Sequence, residues 1–312
     1  MYNYIDKQFF QLIADIKSKN KMQIYSHMLE KFKSVPILTQ VSIQLFLNKF
    51  NYWGKIEIEN SNYEMIENKA EIFATRIDEY VELYNNLSDC KSKYILFSIL
   101  NNFYNFDFTN LKNCMEHIFK HYFDLDLIDT NENEVFVDVG AFTGDSTIDF
   151  ISSFGENSYK KILCYEICKE NIEKMQKNLK NYKNVYIFEK AVTNFNGTTH
   201  FDKNLDLSTN STQENGELSV DAVKLDNDIT EKITMVKMDI EGGEMNALIG
   251  MENHINNDTP TLLISVYHNN TDLLDIPKYI STINKNYNYH LRYYGNQYFP
   301  TEIVLLALPK QF

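Results

Sequence analysis

A change of hydrophobic period most constrains what this chain can fold into. From residue 134 onward, short β-branched or apolar runs alternate with helical stretches, the pattern of a parallel sheet with crossover helices. The runs cover 134–139, 161–166, 184–188, 233–239 and 261–267. Helical spacing marks 146–154, 169–180, 244–255 and 273–283 between them. The end differs, because 290–294 and 302–308 are joined only through Gly295-Asn-Gln-Tyr-Phe-Pro300. Parallel neighbours need a dozen or more connecting residues, so this last pair is expected to be an antiparallel hairpin.

Upstream the period is helical. Ile5, Phe9, Leu12, Ile13 and Ile16 share one face, as do Ile66, Ala70, Phe73, Ile77, Val81 and Tyr84. Residues 94–104 are apolar nearly all round, which suits a helix buried among neighbours. Leu111, Met115, Ile118, Phe119 and Tyr122 predict one more amphipathic helix. The polar stretch Asn131-Glu-Asn-Glu134 breaks the pattern, dividing a helical domain at 1–130 from an α/β domain at 131–312.

Composition removes several classes. Lys and Arg total 30 against 43 Asp and Glu, a net charge of −13, which disfavours a nucleic-acid binder that must neutralise phosphates. No apolar run reaches the length of a membrane span, and the start lacks the basic-then-apolar order of a secretory leader. Four cysteines in 312 residues make no disulfide scaffold, and Cys164-Tyr-Glu-Ile-Cys168 lacks metal-ligand spacing. Buried thiols and a cytoplasmic location are expected. The polar stretch 204–217 reads as a surface loop, and its sequon Asn210-Ser-Thr212 carries no weight without a leader.

Chemistry concentrates at the ends of the strands. In Val135-Phe-Val-Asp-Val-Gly-Ala-Phe-Thr-Gly-Asp-Ser146 an apolar strand runs into a glycine turn and a helix start, with Asp145 or Ser146 as cap. Gly140 and Gly144 let backbone approach a ligand. The spacing departs from the G-x-G-x-x-G that a pyrophosphate prefers. Asp138 would repel a polyphosphate and suit an ammonium or sulfonium. A tight strand–helix turn with no ligand accounts for the same residues. Glu166, ending the second run, can accept both hydroxyls of a ribose, which fits NAD and S-adenosylmethionine alike; it could equally cap the next helix. Ala191 could line an adenine slot. In Val236-Lys-Met-Asp-Ile-Glu-Gly-Gly-Glu244, Asp239 and Glu241 alternate so that both can face the crevice, whereas Glu244 favours the next helix's dipole. Ser265-Val-Tyr-His268 puts an imidazole at the fifth tip, a natural base for a hydroxyl.

At these residues the chain resembles the FkbM-type methyltransferases, a branch of the class I S-adenosylmethionine-dependent enzymes. The resemblance rests on residues 137–146, on 236–244 with Ala247-Leu-Ile-Gly250, and on Tyr267-His268. Leu87-Ser-Asp-Cys-Lys-Ser-Lys93 and Tyr122-Phe-Asp-Leu-Asp126 look like the family's lead-in segments, and Val223-Lys-Leu-Asp226 like its short strand before Ile233. It implies a Rossmann-like sheet of seven strands closed by an antiparallel hairpin, here preceded by the α-helical N-terminal domain. It implies methyl transfer from S-adenosylmethionine, giving S-adenosylhomocysteine, to a hydroxyl of a sugar, surface glycan or secondary metabolite.

By that resemblance Asp138, Gly140, Ala141, Phe142, Thr143, Gly144, Asp145 and Ser146 shape the methionine pocket. Glu166 and Ala191 serve the adenosine, and Asp239 lies near the methionine end and the acceptor. His268 is then the expected general base, with Asp239 orienting it or the acceptor and Glu241 beside them. Mg²⁺ on Asp239 and Glu241 is the less favoured version, since two carboxylates are a thin ligand set. The competing readings are N-methylation of an amino group, an NAD(P)-dependent oxidoreductase, and a non-catalytic binding protein on the same fold. Residues 1–85 have no counterpart in the family and are expected to form a cap, a dimer surface or a docking module.

Overall fold

The computed structural model describes residues 3–201, 212–213 and 218–310. Most of the polar stretch 204–217, with Asn210 and Ser211 of its sequon, lies outside them. Contacts divide the chain into two compact units. One comprises Met1–Glu116, Val266–Pro277 and Tyr289–Val304; the other comprises His117–Ser265, Lys278–Asn288 and Leu305–Phe312. Among the described residues no helix is long and apolar enough to cross a membrane.

The first unit carries α1 (Tyr4–Lys17), α2 (Lys21–Ser34), α3 (Ile37–Phe50), α4 (Glu64–Asn86), α5 (Cys90–Asn105) and α6 (Phe108–Asn113). Asn3 opens α1 with a reciprocal cap, accepting from Asp6 N while the Asp6 carboxylate accepts from Asn3 N. The apolar face then buries Ile5, Phe9, Leu12, Ile13 and Ile16, each worth about 1.5–3 kcal/mol when fully covered. Phe9 stacks on Tyr84 of α4 at 3.8 Å, and the Tyr84 hydroxyl donates to Asp6 at 2.7 Å. The amphipathic stripe predicted over 111–122 does not form a helix. α6 ends at Asn113, Glu116 N instead donates to Tyr293 O at 2.7 Å, and Tyr122 takes a φ of 72° that no right-handed helix accommodates.

The strands are β1 (Val135–Val139), β2 (Lys161–Glu166), β3 (Val185–Val192), β4 (Gly197–Phe201), β5 (Thr212–Gln213), β6 (Leu218–Val223), β7 (Met235–Met238), β8 (Thr261–Ser265), β9 (Tyr287–Tyr293) and β10 (Ile303–Pro309). The helices that follow the strands are α7 (Asp145–Phe154), α8 (Lys169–Leu179), α9 (Leu225–Asp228), α10 (Glu244–Ile249), α11 (Glu252–Asn257) and α12 (Asp272–Ile283). The strand order is β5-β4-β6-β3-β2-β1-β7-β8-β10-β9. Every residue of β1 is buried, as expected of a parallel strand covered on both faces. Contacts between residues 294 and 302, and between 286 and 310, run in opposite order, so β9 and β10 form the antiparallel hairpin.

Seven of these strands, from β3 to β9 in that order, make the expected sheet; β6, β4 and β5 extend it beyond β3, giving ten among the described residues. β3 is longer than its apolar run, because its residues 190–192 pair with β6 after 185–189 have paired with β2. The strand expected at 223–226 is instead the end of β6 followed by the single turn of α9, closed by Ile229 N on Leu225 O. The helix expected over 244–255 is broken at Gly250. A Cβ there would lie 2.0 Å from Thr193 O, and the Asp226 carboxylate accepts Asn253 N and His254 N to start α11 afresh. Cys114, Cys164 and Cys168 are buried thiols, but Cys90 is exposed.

Candidate active site at the strand tips

β1 lies between β2 and β7, where the strand order reverses, and ligands of open α/β sheets bind beyond the carboxyl ends at such a point. Gly140 begins the turn there with φ 74°. A Cβ on it would sit 1.9 Å from Asp239 O, so only glycine lets β1 and β7 finish side by side. Gly140 N and Ala141 N both donate to Tyr165 O at 3.0 Å, which ties the turn to β2. Phe142 follows at φ 47°, and Phe142 and Thr143 stay half-buried. The helix cap is neither Asp145 nor Ser146. Gly144, at φ 81°, occupies that position without a side-chain bond, and exposed Asp145 is the first residue of α7.

Asp138 does not present an open negative charge. It is fully buried, its Oδ2 accepts from Ser146 Oγ at 2.7 Å and Thr147 Oγ1 at 2.8 Å, and its Oδ1 lies 3.2 Å from Lys237 Nζ. The same ammonium donates to Gly140 O at 2.7 Å. Burial alone would lower the Lys237 pKa, but the charges of Asp138, Asp239 and Asp145 outweigh it and hold the ammonium above its ordinary value. Both oxygens of this carboxylate thus face groups of the turn and of β7. Lys237 was absent from the sequence-derived site, although a lone charge inside Met235–Met238 was a usable signal.

Glu166 ends β2 almost fully buried. Oε1 accepts from Ile167 N at 2.9 Å and Cys168 N at 2.8 Å, while Oε2 accepts from Phe142 N at 2.9 Å. Burial raises its pKa, and these amides together with the Asn171 side chain pull the other way. The carboxylate is thus aimed by backbone on both sides of the turn. Ala191, near the end of β3, is buried. It packs with Phe201 and Val220, and Ile167 lies against that cluster.

Asp239 follows β7 and is half-buried, its backbone N–H donating to Val139 O at 3.0 Å. Its Oδ2 accepts from the Tyr122 hydroxyl at 2.7 Å, and Ser265 Oγ stands 3.4 Å from that hydroxyl. Tyr122 also spreads its ring 5.3 Å from Lys237 Nζ and stacks on His121 at 4.0 Å. Burial pushes the His121 imidazole down to about 4, with Asp239 opposing and Lys237 reinforcing, so the ring is neutral at neutral pH. His121 fell in no pattern, and Tyr122 entered the sequence analysis as the last member of a helical stripe that the structure does not form. Glu241 lies beyond β7 at φ 56°, so strand alternation does not place it; even so, carboxylate oxygens of Asp239 and Glu241 approach within 4.8 Å. Glu244 is buried and accepts from Ile240 N and Gly242 N, closing that turn. Asp138 is thus paired to Lys237, and Asp239 and Glu241 bring two further carboxylates together beyond β7.

His268 belongs to the first unit and is buried there. Its ring meets Tyr52 edge-on at 5.2 Å and Tyr267 at 4.1 Å.

Residues 138–291 match the family described as Methyltransferase FkbM domain. Among solved structures, the chain is similar to the methyltransferase FkbM of Methylobacillus flagellatus KT, at 24% identity and a TM-score of 0.67. The match covers 80% of this chain and 62% of that one, so the chain spans about three fifths of that protein's length. An rRNA methylase of Streptococcus thermophilus matches at 14% identity and a TM-score of 0.40, over 58% of this chain and 90% of that one. Precorrin-6y C5,15-methyltransferase of Geobacter metallireducens GS-15 matches at 14% and 0.35, over 57% and 80%. No curated protein matches the chain.

Proposed function

Starting from a chain that carries a methyltransferase FkbM domain over residues 138–291, we propose that it moves a methyl group from S-adenosylmethionine to a hydroxyl of a sugar, surface glycan or secondary metabolite. The observation that carries this reading is the arrangement of three adjacent strand ends. The Gly140 turn after β1 is flanked by the oriented Glu166 carboxylate after β2 and by Asp239 after β7.

These residues fit the cofactor. The turn tolerates no Cβ at Gly140, the buried Lys237 ammonium of β7 is taken up by Asp138 and Gly140 O, and Glu166 offers carboxylate oxygens to a ribose diol. Asp138, through Ser146, Thr147 and Lys237, keeps the turn in shape, and Asp239 and Glu241 supply the negative potential that a sulfonium requires. When bound, the cofactor supplies an already electrophilic methyl carbon. The protein's share is then alignment of the acceptor oxygen, in line and about 3 Å away. His268 takes the acceptor proton as general base, and Asp239, held by Tyr122, orients the acceptor. No metal is needed in this scheme.

Thermal melting with S-adenosylhomocysteine and with NAD tests the cofactor. A rise with the former alone is expected, and its absence sinks the proposal. Release of S-adenosylhomocysteine is then followed across methyl glycosides and amino sugars. Turnover with hydroxyl acceptors, unchanged by EDTA, is the expected result. Turnover confined to amines, or lost in EDTA and restored by Mg²⁺, would reject the acceptor or the metal-free scheme.

A further inference from the structure

The helical region before residue 86 lies outside the family match, yet it grips the chain just past β8. Trp53, 2% exposed, donates its indole N–H to Tyr267 O at 2.8 Å. The Trp53 carbonyl accepts the side-chain amides of Asn270 at 3.2 Å and Asn68 at 3.0 Å. Lys69 of α4, 3% exposed, directs its ammonium at Asn270 O at 3.4 Å, above the rings of Phe103 at 4.3 Å and Trp53 at 5.3 Å. Tyr52 sets its ring edge-on to both Tyr267 and His268. Inside the segment, Asp272 Oδ2 accepts from Asn269 N at 2.7 Å.

His268 is therefore bracketed. The carbonyls of residues 267 and 270 are both held from the helical region, with residues 268 and 269 between them. Irregular backbone of this kind has no ladder of its own to fix it. The arrangement is also a costly one. An ammonium taken out of water loses several kcal/mol of hydration, and a methionine of similar length would fill the space with no such loss. Two aromatic faces and the Asp272 charge offset part of that cost. What the charged end gains that methionine cannot supply is a directed bond to the Asn270 carbonyl.

We propose that Trp53 and Lys69 are positioning residues for His268, so that the helical region is a working part of the methyl-transfer machinery and not a detachable cap. The inference rests on the reading of His268 as general base, and the experiment separates the two.

The full chain is labelled at histidine Cε1 with carbon-13, and the His268 signal is assigned by its absence in His268→Gln. Trp53→Phe keeps a ring and removes the indole donor; Lys69→Met keeps length and removes the charge. Both variants are expected to remain folded, to displace or broaden the His268 signal, and to lower kcat about tenfold with KM for S-adenosylmethionine unchanged. An unmoved His268 signal in both folded variants overturns the inference. So does parental turnover in both variants while His268→Gln is inactive, which leaves the base reading intact. Parental turnover in His268→Gln, with the signal displaced in the variants, overturns the base reading and the inference together.

Discussion

Tyr122 reaches Asp239 with its phenolic hydroxyl at 2.7 Å, from a backbone position at φ 72° that ends any helix through it. A strained residue from the segment before β1 thereby holds the carboxylate that follows β7. Strain kept at such a place is maintained by the surrounding fold and is commonly found at working sites.

Removing that hydroxyl should cost more in turnover than in stability. Tyr122→Phe loses one hydrogen bond to a charged group, about 1.5–3 kcal/mol at most. Its kcat is expected to fall about a hundredfold or more, while the urea midpoint shifts by no more than that one bond accounts for. Rates of S-adenosylhomocysteine release beside urea melts check this, and a stability loss with unaltered kcat would contradict it.

Gly140→Ala should be far more damaging than its size suggests. The methyl would stand 1.9 Å from Asp239 O at a φ of 74°, so β1 and β7 would have to part. A loss of about 3 kcal/mol or more is expected, with S-adenosylhomocysteine binding abolished in whatever folds. Calorimetric titration together with denaturant melts gives the answer.

The buried pair Asp138–Lys237 should couple strongly. Lys237→Met strands a buried carboxylate and Asp138→Asn strands a buried ammonium, each costing about 3–5 kcal/mol. The double variant is expected to lose clearly less than the two added together. A double-mutant cycle in urea measures the difference, and strict additivity would show that the 3.2 Å contact does not couple them.

Lys69 makes stability depend on alkaline pH. Burial pushes it down to about 7 from an ordinary value of 10.5, with Asp272 pulling back. Between those values the unfolded chain binds the proton and the folded chain does not, so stability rises as pH goes from about 7 towards 10. The difference in unfolding free energy between the parent and Lys69→Met should change by a few kcal/mol across that window, at about 1.4 kcal/mol per pH unit. A pH-independent difference would place the ammonium in solvent.

The site was legible in so far as it sits on regular elements. Gly140, Glu166 and Asp239 could be placed because each closes an apolar run whose length marks a strand, and parallel strands in one sheet end on one side. Asp138 was placed on β1, but its partner Lys237 was out of reach of the sequence, being a neighbour across the sheet and distant along the chain. The stripe through Leu111 and Tyr122 was misread for a related reason. Its spacing is helical, yet Glu116 finds its backbone partner in Tyr293 and Tyr122 finds its side-chain partner in Asp239.

Local order along the chain thus determined the helical beginning, the parallel sheet, the closing hairpin and the glycine turn, because period, cap and turn residues act over a few positions. Tertiary structure alone decided which charges pair, which tyrosine holds Asp239, and that Trp53 and Lys69 meet the chain around His268. Those outcomes depend on contacts between residues far apart in sequence, and a buried charge acquires its meaning only from the group packed against it.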